Sequence, residues 1–265
     1  MNHLIKAEFR RLLATRMWRG LLLAAALLGG GMMSAMALVG PENFTPPMPG
    51  MDTETGVRSI LGILGYTAFV PAAAGTLAVT SEYRHRTAAV TFLFAPRRWQ
   101  VVAAKLATYG VAGLAYGLIL AGTAAAALFT VAAARGDSLG LPPGTVLALL
   151  ARIGLAMVVY LLLGVGVGAL VRNQVVALCL VIGYLYMGEA LLMMIPGVNV
   201  LYPVLPGGAT AALTDFTYLA DAMSQELGST AVHLLPPAAG ALLLTAYALA
   251  ATLIAVVSSV RRDIT

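Results

Sequence analysis

Ser81–Lys105, SEYRHRTAAVTFLFAPRRWQVVAAK, is the one cationic, sequence-distinctive stretch in a chain otherwise made of apolar runs. Tyr83, Thr87, Val90 and Phe94 fall at i, i+4, i+7 and i+11, the stripe of a helix, while Arg84, His85 and Arg86 lie off it. Pro96 ends that helix, because its ring removes a backbone donor. Arg97, Arg98 and Trp99 follow, a basic and aromatic group suited to the headgroup zone, before a new apolar run begins. The spacing predicts an element lying along a membrane surface between two spans.

Working outward, the composition agrees. The chain is 60% hydrophobic and 10% charged, where an average soluble domain has roughly 25% charged residues. A mean hydropathy of +0.90 belongs in a bilayer. The net charge of +5 would suggest nucleic acid in a soluble protein, but here the cations should follow membrane topology, and nothing points to DNA or RNA. Cys179 is the single cysteine, so it has no intrachain disulfide partner, and its apolar surroundings suggest helix packing.

From the N-terminus, residues 2–16 place Ile5, Phe9, Leu12 and Leu13 on one face with Lys6, Arg10 and Arg11 elsewhere, an amphipathic helix for the interface. Trp18 and Arg19 anchor a first span over about 20–40, long enough at ~1.5 Å per residue to cross a ~30 Å hydrocarbon core. Ala35 and Ala37 make an A-x-A pattern, the mark of a cleaved signal peptide, but the long amphipathic lead and the spans behind it argue against cleavage. Further spans are expected at about 57–80, 101–134, 145–171, 175–195 and 238–260. Gly110, Gly113, Gly117 and Gly122 interrupt the third and suit close helix approach. Between Pro196 and Pro237 the chain is too polar for a simple span. Val198–Leu205 and Ala209–Leu219 read as short re-entrant helices broken by Pro203, Pro206, Gly207 and Gly208.

The expected fold is an all-α integral membrane protein, one domain over 1–265 with six transmembrane helices. Of the 16 Lys and Arg residues, only Arg58, Arg135 and Arg152 fall on the side opposite the rest, which puts both termini and the 81–105 stretch in the cytoplasm. There is no GxxxxGK[ST] to cradle nucleotide phosphates, no HExxH and no CxxC, and His3, His85 and His233 are far apart. No predicted span holds a histidine for an intramembrane hydrolase. The expectation is a chain that is not an enzyme and holds no metal or cofactor.

The run Glu82, Tyr83, Arg84, Thr87, Pro96, Arg97 and Lys105 resembles the pattern between the second and third spans of permeases of the type 2 ABC exporter family. Leu205, Pro206, Gly207, Gly208 and Ala209, with Ala212 and Leu213, resembles the pattern ahead of their last span. Arg86 departs from it, standing where a small residue, usually Gly, precedes the Thr. The resemblance implies a membrane subunit that pairs with a second permease copy, as a homodimer, and with two ATPase subunits that hold ATP and Mg. It implies a cytoplasmic coupling helix over Ser81–Ala95, and the residues carried over to the ATPase contact are Glu82, Tyr83, Arg84, Arg86, Thr87, Pro96, Arg97 and Arg98. The expected function is export of a lipophilic or amphipathic compound, such as an antibiotic, lipid or peptide, across a bacterial inner membrane. In that setting the arginines either pair with acids on the ATPase or hold anionic lipid headgroups at ~1 kcal/mol each. Glu82 either meets the partner or complements a helix N-terminus.

Glu189 is the one acidic residue expected inside a span. An ionisable group in hydrocarbon costs ~2.5 kcal/mol or more unless paired or wet. It either faces the substrate pathway or, being near the end of its span, snorkels to headgroup water in a structural role, the reading the sequence favours. The alternatives for the whole chain are a secondary transporter driven by an ion gradient, which calls for several paired ionisable groups at mid-membrane, and a structural membrane subunit.

Overall fold

A computed structural model describes the chain except residues 44–47, 86–97, 172, 196, 218–232 and 262–265. Among the described residues there is no strand, and six helices are long and apolar enough to cross a membrane. In chain order, α1 is Asn2–Ala14, α2 is Met17–Val39, α3 is Glu54–Arg84 and α4 is Arg98–Arg135. Then come α5, Pro143–Leu170, α6, Gln174–Met194, α7, Pro206–Thr214, and α8, Pro237–Arg261. The spans α2, α3, α4, α5, α6 and α8 occur where the apolar runs put them, with ends displaced by a few residues.

The displacements have local causes. α3 starts at Glu54 because the Thr53 hydroxyl caps it, accepting the Gly56 N–H at 3.0 Å. α4 is one unbroken helix of 38 residues despite its glycines, about 57 Å long at 1.5 Å per residue, so it overhangs a ~30 Å core. Two of those glycines set close contact. A Cβ on Gly117 would lie 2.5 Å from the Gly154 carbonyl oxygen of α5, and one on Gly113 3.0 Å from the Val158 Cα. By contrast, Gly122 faces open space.

α5 is the centre, flanked by α3, α4 and α8. Tyr116, Leu120, Leu150, Ile153, Met157 and Leu161 are fully buried around it. α2 packs on α4, α6 on α3, and α7 lies between α5 and α8. Cys179 is on the exposed side of α6, where the sequence suggested packing between helices.

On α1 the inward face is also turned from the one expected. Glu8 and Leu12 are buried and Leu13 is 59% exposed. The helix is docked onto the start of α4 through a carboxylate as well as through its apolar stripe.

The region before α8 holds a 3-10 turn, Asn199–Val204, and then α7. Pro206, Gly207 and Gly208 are the first turn of α7, whereas the sequence had them as breakers. Pro206 takes the first helical position, where its missing N–H has no partner to lose. α7 ends at Asp215, in the left-handed region at φ 58°. The expected helix to Leu219 therefore stops short, and 218–219 lie outside the described residues.

Candidate functional sites: the α3–α4 joint and the Glu189 cavity

Ser81–Arg84 is the last turn of α3, collinear with the span, and His85 leaves the helix at φ −92°, ψ 7°. The expectation of one surface-lying helix from Ser81 is thus corrected over its first turn. Arg86, Thr87, Pro96 and Arg97 lie outside the described residues, and so does the Arg98 side chain, although its backbone starts α4.

Of the residues that are described, Arg84 is exposed, Tyr83 is half-buried and Glu82 is 6% exposed. Glu82 points into the chain. Its Oε1 accepts from Lys105 of α4 and from Arg11 of α1. The Lys105 ammonium also donates to both carboxylate oxygens of Glu8, at 3.0 and 2.9 Å. Arg11 stands 3.9 Å from Glu8. Among the described residues, two acids and two bases therefore meet in one cluster, with Glu8, Glu82 and Lys105 all buried. Such a set holds because every charge has a partner, and removing one strands another in a place where water cannot reach it.

This cluster ties α1, the end of α3 and the start of α4 into one body. The contacts of Glu82 among the described residues are with Lys105 and Arg11 of its own chain, which the sequence did not pair with it. Lys105, which the sequence placed among the surface cations, is 4% exposed. Glu8 was missed, and the signal available was a lone acid among Lys6, Arg10 and Arg11, three residues before Arg11.

The second site surrounds Glu189. In α6 the residues Tyr184–Gly188 form a π turn, so the Glu189 N–H bonds back to the Tyr184 carbonyl, five residues earlier. Ala177, Val181, Glu189 and Met193 are the buried positions of this span. Their four-residue stripe covers 16 positions, which in an unbroken α-helix would drift by about 160°. The extra residue of the π turn takes back about 100° and keeps Glu189 and Met193 on the buried side that Ala177 and Val181 begin.

Glu189 is 5% exposed, so it does not snorkel to water as the sequence favoured. Its Oε2 accepts the Gly207 N–H at 2.7 Å, on the first turn of α7, where a carboxylate meets the positive end of the helix. A Cβ at Gly207 would stand 2.0 Å from that oxygen, so only glycine admits the carboxylate this close. Oε1 has no hydrogen-bond partner among the described residues. Tyr184 brings its phenol towards the same carboxylate.

Other spans hold the same end of α7. The Tyr160 hydroxyl of α5 donates to the Pro206 carbonyl at 3.1 Å and shares a 2.8 Å bond with Thr210. Tyr247 of α8 donates to the Val204 carbonyl at 2.7 Å. At the far end Asp215 pairs with Arg58 of α3, which also holds Glu54. α7 is thereby fixed by α3, α5, α6 and α8. Beside it lies a cavity of about 120 Å³, lined by Tyr66, Phe69, Tyr160, Glu189, Tyr202 and Phe216 among others. Burial pushes the Tyr202 phenol up, so it lines the cavity as a neutral hydroxyl.

Comparison of the chain with protein-family models and with curated proteins returns no match.

Proposed function

We propose that this chain is the membrane-spanning permease subunit of an ATP-driven exporter of the type 2 ABC kind, moving a lipophilic or amphipathic compound. It would work as a homodimer with two ATPase subunits that bind ATP and Mg, in a bacterial inner membrane with both termini cytoplasmic. The observation that carries this reading is the buried cluster of Glu8, Arg11, Glu82 and Lys105. It fastens the α3–α4 joint to α1, so a push on the joint moves α1, α3 and α4 together. In this reading the force applied there comes from a separate ATPase chain, in keeping with a sequence that holds no GxxxxGK[ST] loop.

In this reading α1 lies in the membrane interface and α7 with the preceding 3-10 turn is re-entrant. The segment joining α3 to α4 would sit on the ATPase, with exposed Arg84 at the end of α3 as the described contact. The excess of Lys and Arg on the joint side supports the orientation. A cleft on the ATPase would receive the basic residues, while the cluster behind them resists shear.

The test is copurification with a candidate ATPase followed by transport into inverted vesicles, comparing ATP with a protonophore-sensitive gradient. ATP-dependent uptake is expected, with substrate-stimulated hydrolysis reduced in Arg84→Ala while membrane insertion is unchanged. Uptake that needs a proton gradient and no ATP would replace this reading with the ion-coupled one.

A further inference from the structure

We propose that the cavity between α3, α5, α6 and α7 is a binding site for a compact organic ammonium ion, with Glu189 as its counter-ion. The site lies within one copy of the chain, and it stands whether or not an ATPase drives the protein.

Size comes first. A cavity of about 120 Å³ is close to the ~150 Å³ engineered cavity known to hold benzene. The occupant is therefore an apolar body of about one six-membered ring, and a lipid or macrocycle does not fit inside. Shape comes from the aromatic residues. Tyr66 meets Phe216 edge to face at 6.1 Å, and Phe69 meets Tyr186 at 5.2 Å. Tyr66 and Tyr186 are 46% and 48% exposed, so these pairs frame the opening as well as the wall. Aromatic faces of this kind attract a cation with an apolar surface.

Charge then selects among ligands of that size. Glu189 is nineteen-twentieths buried, places Oε2 on Gly207, and leaves Oε1 outside hydrogen-bond distance of every described group, the nearby Tyr184 phenol included. The hydroxyls of Tyr160 and Thr210 are already taken by each other and by the Pro206 carbonyl. No Lys, Arg or His is among the described residues that line the cavity. An anion would face an unopposed carboxylate, and a neutral apolar molecule would leave Oε1 unmet. A hard metal cation needs about six oxygen ligands, and no group of three acidic or metal-ligating side chains occurs among the described residues. An ammonium nitrogen satisfies Oε1 by a charge-assisted hydrogen bond while its hydrocarbon part fills the apolar space.

The experiment uses the full chain in lipid nanodiscs and calorimetric titration with benzylammonium and with its neutral isostere, benzyl alcohol. Benzylammonium should bind saturably, one per chain, at least tenfold tighter than the alcohol. Glu189→Gln keeps a carbonyl oxygen for the Gly207 N–H and should abolish that preference without changing alcohol binding. Gly65→Leu adds bulk where the nearest heavy atom to a new Cβ is Thr210 Cγ2 at 3.6 Å, and it should weaken both probes. Equal affinity for the two probes in the unmodified chain, uptake no different from empty nanodiscs, or a preference that survives Glu189→Gln would each overturn the proposal. The first two outcomes are decisive even if a variant does not fold.

Discussion

Replacing Lys105 by Met keeps the length of the side chain and removes the charge that holds Glu8. Glu82 still has Arg11, but Glu8 is left with that arginine at 3.9 Å, and Arg11 is 37% exposed at its side chain. A contact of that kind is worth under ~1 kcal/mol, whereas stripping the partner from a buried pair costs ~3–5 kcal/mol. The rest of the docking of α1 is mainly Leu12, whose burial supplies about 1.5–3 kcal/mol. Lys105→Met should therefore raise the undocked population of α1 by two to three powers of ten, at 1.4 kcal/mol per tenfold. Amide hydrogen exchange in nanodiscs reads this directly, with faster exchange over residues 9–14 and unchanged protection in α5. Adding Glu8→Gln removes the stranded charge and should return α1 to within ~1 kcal/mol of the original docking. If Lys105→Met leaves exchange in α1 unaltered, or the double variant is no better protected, the cluster does not hold the helix.

Three smaller tests bear on the same structure. A Cβ on Gly164 would stand 2.0 Å from the Ala72 carbonyl oxygen, and one on Gly75 2.0 Å from that of Leu161. Gly164→Ala and Gly75→Ala should each cost ~1–3 kcal/mol by overpacking and lower the Tm, while Gly144→Ala, which meets nothing within 4 Å, should leave it level or raise it. Gly207→Ala should displace Glu189 Oε2 at a cost of ~1–3 kcal/mol, and a thermal-stability cycle with Glu189→Gln should be non-additive by more than ~0.5 kcal/mol; additive losses would mean that the two do not interact. Arg58→Met, which frees Glu54 and Asp215 at a partly exposed position, should cost no more than ~1 kcal/mol, and a Tm drop as large as that of Lys105→Met would refute the ranking by burial.

The six spans were legible because a long apolar run is a local property, read without knowing what it packs against. The polar residues inside or beside those runs behaved differently. Glu8 and Lys105 are 97 positions apart, and Glu82 and Arg11 are 71 apart. No spacing rule links residues at such separations. A charge in an apolar context announces that it has a partner and does not say which. Glu82 is the instructive case: its neighbours Arg84 and Arg86 drew it into a surface-helix reading, but the fold turns it the other way, into the cluster.

Glu189 was legible in a different sense. The sequence marks it as an acid inside a span and leaves it between the pathway and a structural role near the helix end, without pointing to its burial against α7. The stripe Ala177, Val181, Glu189 and Met193 stays on one side of α6, and a regular helix cannot hold a four-residue repeat on one side for 16 positions. Either the stripe is not a face or the helix contains an extra residue. The small and aromatic run Gly183–Gly188 is where that residue is accommodated, at Tyr184–Gly188. The same arithmetic accounts for the cavity. Without the widened turn Glu189 would rotate away from Gly207, α7 would lose its contact with α6, and the carboxylate would face lipid unpartnered. The π turn is thus what makes an acid tolerable in this span, and any use of the cavity depends on it.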